Sequence, residues 1–100
     1  PVTGAFHSPM MGSAVPEFEA ALNDTEVRQA TVPVISAVTA EPFDDVRKRL
    51  VEALTSPVRW RETMLALHGL GAERFVEVGP GRVLTGLAKR TLRDVELVHA

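Results

Sequence analysis

Arg74-Phe75-Val76-Glu77-Val78-Gly79-Pro80-Gly81-Arg82-Val83-Leu84-Thr85-Gly86-Leu87 is the stretch that decides the fold. Its first five residues form a short run with β-branched and aromatic side chains, which predicts a strand. Gly79-Pro80-Gly81 supplies turn chemistry. Val83, Leu84, Leu87 and Leu92 then recur at helical spacing, and Val95 to His99 again reads as a strand. Strands alternating with helices imply parallel pairing through right-handed crossovers, and hence an α/β layer architecture.

Upstream, Trp60, Met64 and Leu67 form an apolar stripe that Gly69 and Gly71 stop. Ser56 suits an N-cap with Pro57 at the first helical position. Before it, Asp44 or Asp45 caps a helix that places Val46, Leu50, Val51 and Leu54 on one face and ends around Thr55. Val32-Pro33-Val34-Ile35-Ser36-Ala37-Val38 is short, apolar and β-branched, and predicts a third strand, with Pro33 at its beginning or edge. Met10, Ala14, Phe18, Ala21 and Leu22 predict a helix over about residues 10–22, with Pro16 harmless only in a first turn. The expected product is a partial parallel sheet with flanking helices. A sheet this small leaves an edge and apolar surface uncovered, which suits a piece of a larger domain.

The 100 residues allow one domain at most, and 45% hydrophobic content fits a globular one. With 11 basic and 13 acidic side chains the formal charge is −2, so no whole-chain field attracts nucleic acid or an anionic membrane. No cysteine is present, which removes disulfides, thiolate catalysis and thiolate metal sites. No apolar run reaches the roughly 18 residues of a membrane span. The chain reads as soluble, and the cytoplasm is its expected setting. Pro1 is not an initiator methionine, and a loop carrying a histidine follows within ten residues, so residues 1–100 read as a cut piece.

That loop is Gly4-Ala5-Phe6-His7-Ser8-Pro9. An imidazole takes and returns protons near neutral pH, so His7 could be a general base, a metal ligand or an idle surface residue. Metal binding lacks support: His68 and His99 are far away in sequence, and no ligand spacing surrounds His7. Ser8 is the nearest hydroxyl, yet adjacent side chains rarely meet productively, and a serine before Pro9 reads as turn chemistry. Ser13, Ser36 and Ser56 read as caps or strand residues, and no Gly-x-Ser-x-Gly elbow occurs. Gly79-Pro80-Gly81 invites a phosphate-loop reading, but it lacks both the Lys-Ser/Thr of such loops and the spacing of a dinucleotide fingerprint.

Gly4-Ala5-Phe6-His7-Ser8-Pro9, Ser56-Pro57-Val58-Arg59-Trp60 and Glu77 to Leu87 resemble, in order and spacing, the C-terminal third of malonyl-CoA:acyl carrier protein transacylases. The acyltransferase domains of polyketide synthases are similar. The resemblance spans the whole chain and makes it the C-terminal segment of a larger hydrolase-like acyltransferase domain. It implies that an elbow serine takes malonyl from coenzyme A as an ester and passes it to the phosphopantetheine thiol of acyl carrier protein. His7 matches the catalytic histidine. Phe6 matches a position where bulk goes with malonyl selection, the alternative being a ring that only packs beneath the loop. Ala53 matches the residue whose main-chain carbonyl orients the histidine; a Gln is familiar there, and a carbonyl survives the change. The elbow serine and the carboxylate-binding arginine are not matched, so this segment alone is expected to be inactive. No cofactor or metal is implied, since the coenzyme A thioester is a substrate. The implied partners are malonyl-CoA, acyl carrier protein and the missing N-terminal part of the same domain. Arg82, Lys89, Arg90 and Arg93 are either a patch for the acidic carrier protein or a solvated helix face. A noncatalytic remnant that binds partners through its sheet edge, with His7 idle, is the competing reading from another functional class.

Overall fold

The computed structural model describes residues 3–100; Pro1, the basis for reading a cut start, lies outside them. The chain divides into two compact units, Pro1–Arg59 and Trp60–Ala100.

In the first unit the expected helix over 10–22 is split in two. Pro9–Ala14 is a 3-10 segment, and α1 begins at Val15 and ends at Asn23. The cause is Pro16, which has no N–H to give an α-helix running through it. The Val15 N–H closes the 3-10 segment on the Gly12 carbonyl, and Pro16 sits in the first turn of α1, where its missing donor costs little. Helix α2 spans Val46–Thr55, and the Asp45 carboxylate caps it by accepting the Lys48 N–H at 3.1 Å. Asp44 takes a different role. Two nitrogens of Arg49 donate to its two oxygens at 2.9 Å each, while the third reaches Glu52 at 2.8 Å. The Arg49 guanidinium holds the Asp44 carboxyl well below the usual carboxylate range. Arg47 ties α2 to the end of α1, its guanidinium donating to the carbonyls of Leu22 at 3.0 Å and Thr25 at 2.7 Å.

Two expectations fail in this unit, each for a local reason. Residues 32–38 form no strand; only Ile35 bridges antiparallel to Pro42. The chain turns back at Ser36, which is 1% exposed. Its N–H donates to Glu41 at 2.9 Å, its carbonyl accepts from Ala40 at 2.8 Å, and its hydroxyl accepts the Val38 N–H at 3.2 Å. Ala40 closes the turn at φ +57°. A buried serine able to bond the backbone two residues on outcompetes the β propensity of its neighbours. Nor is Ser56 an N-cap, because the next helix does not begin until Trp60. Pro57 forces the preceding residue out of helical space, so Ser56 is extended (φ −115°, ψ 148°) and terminates α2. The Arg59 N–H then donates to Ala37 at 2.8 Å, which holds residues 57–59 against the Ser36 turn.

In the second unit α3 runs Trp60–Gly69, β1 Arg74–Glu77, α4 Val83–Thr91 and β2 Glu96–His99. The two strands pair in parallel, Arg74 opposite Glu96 and Glu77 opposite His99. Among the described residues the sheet has these two strands, flanked by helices in an α/β arrangement. Met64, Ala88 and Leu92 are buried at the centre, and Trp60, Leu67, Phe75, Val95 and Leu97 pack around them. Strand alternation sends Phe75 and Glu77 to one face and Val76 to the other, where Val76 and the following Val78 are exposed.

Candidate functional site

The His7 loop is fixed residue by residue. The Ser8 hydroxyl donates to the Ala5 carbonyl at 2.6 Å, and the Met11 N–H donates to Ser8 O at 3.0 Å. This closes a turn that leads into the 3-10 segment and commits the Ser8 oxygen to it. His7 itself lies at φ +56°, in the left-handed region that non-glycine residues seldom occupy. Its side chain is exposed, and its Nδ1 is 2.7 Å from the Ala53 carbonyl in the last turn of α2. A carbonyl oxygen only accepts, so Nδ1 carries the proton in this bond. In the neutral ring that leaves the lone pair on Nε2, so the imidazole is held as a base with one defined basic nitrogen.

His7 and Ala53 are therefore joined by a direct hydrogen bond. Phe6 is 57% exposed. Its ring lies against the open face of Gly4: a Cβ at Gly4 would come within 3.0 Å of ring atoms Cε2 and Cζ. Gly4 also stands at φ +152°, so a side chain there meets both strain and a ring. Arg47 escaped the sequence reading, because nothing in an alternating Arg-Lys-Arg run shows which guanidinium reaches another helix.

In the second unit the Gly79-Pro80-Gly81 turn holds no free anion site at the start of α4. The Glu77 carboxylate accepts the Leu84 N–H at 3.2 Å, the Thr85 N–H at 2.8 Å, and the Thr85 hydroxyl. Those bonds, the hydroxyl foremost, lower its pKa below the ordinary carboxylate range. The strand thus caps the helix that follows it, and two of the amides in its first turn are already used. His99, opposite Glu77 in register, donates from Nε2 to the Gly79 carbonyl at 2.7 Å and closes the same turn. Arg82, Lys89, Arg90 and Arg93 are all exposed. Among the described residues no three His, Asp or Glu side chains cluster to hold a metal ion, and no helix is long and apolar enough to cross a membrane.

No family model matches the chain. It is 46% identical over 99 residues to a malonyl CoA-acyl carrier protein transacylase of Synechocystis, covering 96% of this chain and 34% of the relative. A transacylase of the same description from Bacillus subtilis is 38% identical over 100 residues, with 97% of this chain and 32% of the relative covered. The chain belongs to the malonyl CoA-acyl carrier protein transacylase family. The crystal structure of the Synechocystis transacylase superposes with a TM-score of 0.87 at 44% identity, over 98% of this chain and 34% of that one. A structure from Streptococcus pneumoniae gives a TM-score of 0.94 at 27% identity, over 99% and 33%. The polyketide biosynthesis protein ThaF of Burkholderia thailandensis is also similar, at 47% identity over 92% of this chain and 8% of its own. The chain spans about a third of the length of the curated transacylases it matches.

Proposed function

We propose that the complete protein moves a malonyl group from coenzyme A to the phosphopantetheine thiol of acyl carrier protein through a serine ester, and that this segment supplies its base, His7. The observation that carries the reading is the bond from His7 Nδ1 to Ala53 O, which leaves Nε2 as the basic nitrogen of an exposed ring. In the first half-reaction Nε2 takes the serine proton as the serine oxygen attacks the malonyl thioester carbon. The carbon–sulfur bond breaks, and the same nitrogen returns the proton to the departing coenzyme A thiolate. In the second half-reaction Nε2 takes the carrier-protein thiol proton and gives it back to the serine oxygen as the ester opens. Ester and thioester have similar transfer potentials, so one imidazole serves both directions.

The serine and the arginine that pairs the malonyl carboxylate come from chain outside these 100 residues, and the 100 residues alone do not catalyse transfer. The partner of the uncovered Val76–Val78 face is that same remaining part of the domain, since parallel sheets are normally covered on both faces. Arg82, Lys89, Arg90 and Arg93, with no acidic residue between Gly79 and Arg93, offer local positive charge to an acidic carrier protein. The setting is the cytoplasm, and no cofactor takes part. The likeness to ThaF favours a second version of the same chemistry, in polyketide rather than fatty acid synthesis.

The test is His7→Ala in the complete protein. Transfer to acyl carrier protein falls by about 10²- to 10⁴-fold while circular dichroism is unchanged. Steady-state transfer at the parental rate by a folded variant would sink the assignment and favour a noncatalytic role.

A further inference from the structure

In an α-helix each carbonyl accepts the N–H four residues on. For Ala53 that residue is Pro57, which has no N–H to offer. Pro57 also drives Ser56 into extended geometry, so α2 stops at Thr55. Beyond it the chain is drawn away to the Ser36 turn by the bond from Arg59 N–H to Ala37 O. The carbonyl that receives His7 Nδ1 at 2.7 Å is the one whose helical donor this proline removes.

We infer that Pro57 is a positioning residue for His7: by withholding an N–H it reserves the Ala53 carbonyl for the imidazole. The inference rests on the reading of His7 as the base. Pro57 makes no hydrogen bond of its own in this role; it acts by excluding a competitor. An N–H at position 57 would let α2 wind one residue further and claim the carbonyl. Nδ1 would then lose its acceptor, the neutral ring would sample both tautomers, and a ring with its proton on Nε2 has no lone pair there to take a proton.

The experiment uses the complete protein with Pro57→Ala and the double variant Pro57→Ala/Val58→Pro. The double variant restores a proline stop one residue later but keeps the new N–H at position 57. Turnover and KM for malonyl-CoA are measured together with the ring tautomer of His7 in protein labelled with 15N-histidine, its signal assigned by its loss in His7→Ala. In both variants kcat is expected to fall at least about tenfold, in the range that misorienting a catalytic group costs, with KM little changed. The Nδ1-protonated signature should give way to a mixture of tautomers. Rescue of rate and tautomer by the double variant would overturn the proposal, because it would reduce Pro57 to a helix stop. So would a lowered rate with the Nδ1-protonated signature intact. A lost tautomer with full transfer rate would instead overturn the reading of His7 as the base, and with it the positioning role.

Discussion

At residue scale, the His7 loop spends conformational energy to aim two neighbouring rings. A non-glycine residue in left-handed backbone costs on the order of 1–3 kcal/mol and persists only where its surroundings over-determine it. Here the Ser8–Ala5 bond closes the turn from one side, and the Ala53 carbonyl holds the imidazole from the other. Phe6 has the opposite character, being largely exposed and resting on the bare backbone of Gly4. On the proposal that the Phe6 ring stands beside the acyl group and selects for malonyl, Phe6→Ser opens room for a methyl branch. In competition assays on the complete protein, the preference for malonyl over methylmalonyl is expected to drop about tenfold, the scale of one methyl group in an apolar pocket. An unaltered preference would count against the steric role. The histidine was legible in the sequence because its residue type does chemistry in a loop. Its acceptor was not, since every residue has a carbonyl and only the resemblance pointed to that of Ala53.

At the scale of elements, strand β1 and helix α4 are joined by a carboxylate. Glu77 does for α4 what an N-cap side chain usually does, which leaves Arg82 at the cap position with no capping bond to make. The folded-state pKa of Glu77 is depressed, so its contribution to stability is fully present above the unfolded-state value, about 4.3, and is lost as the pH falls through the lower folded value. In urea unfolding of the complete protein, Glu77→Gln lowers the midpoint at about pH 7, and the gap to the parent narrows as the pH drops toward about 3. A gap that stays constant with pH would show that the charge does not matter. The helices were readable from their apolar stripes, and β1, α4 and β2 from the strand–turn–helix order. The Val32–Val38 run misled because β-branched propensity says nothing about a buried Ser36 hydroxyl that bonds Val38. The Ser56-Pro57 pair misled because the same dipeptide serves as a helix start or as a helix stop. Here it stops α2, and the Arg59 N–H bonds Ala37, a contact 22 residues away that no local pattern encodes.

At the scale of the molecule, the chain carries the proposed base but neither a nucleophile elbow nor a matched arginine. Produced alone, residues 1–100 are expected to give no malonyl transfer to acyl carrier protein in a radiolabel assay, while the complete protein transfers readily. Measurable transfer by the isolated piece would show that the chemistry needs no residue beyond these. The end of α2 carries a further consequence for the whole enzyme. The positive charge that His7 gains in each half of the proposed transfer forms at the negative pole of a helix dipole, beside a peptide group with no proton of its own to gain or lose. A carboxylate in that position would add its own titration in acid. With a peptide carbonyl as partner, the imidazolium is stabilised by a fixed dipole instead of by a second ionisable group.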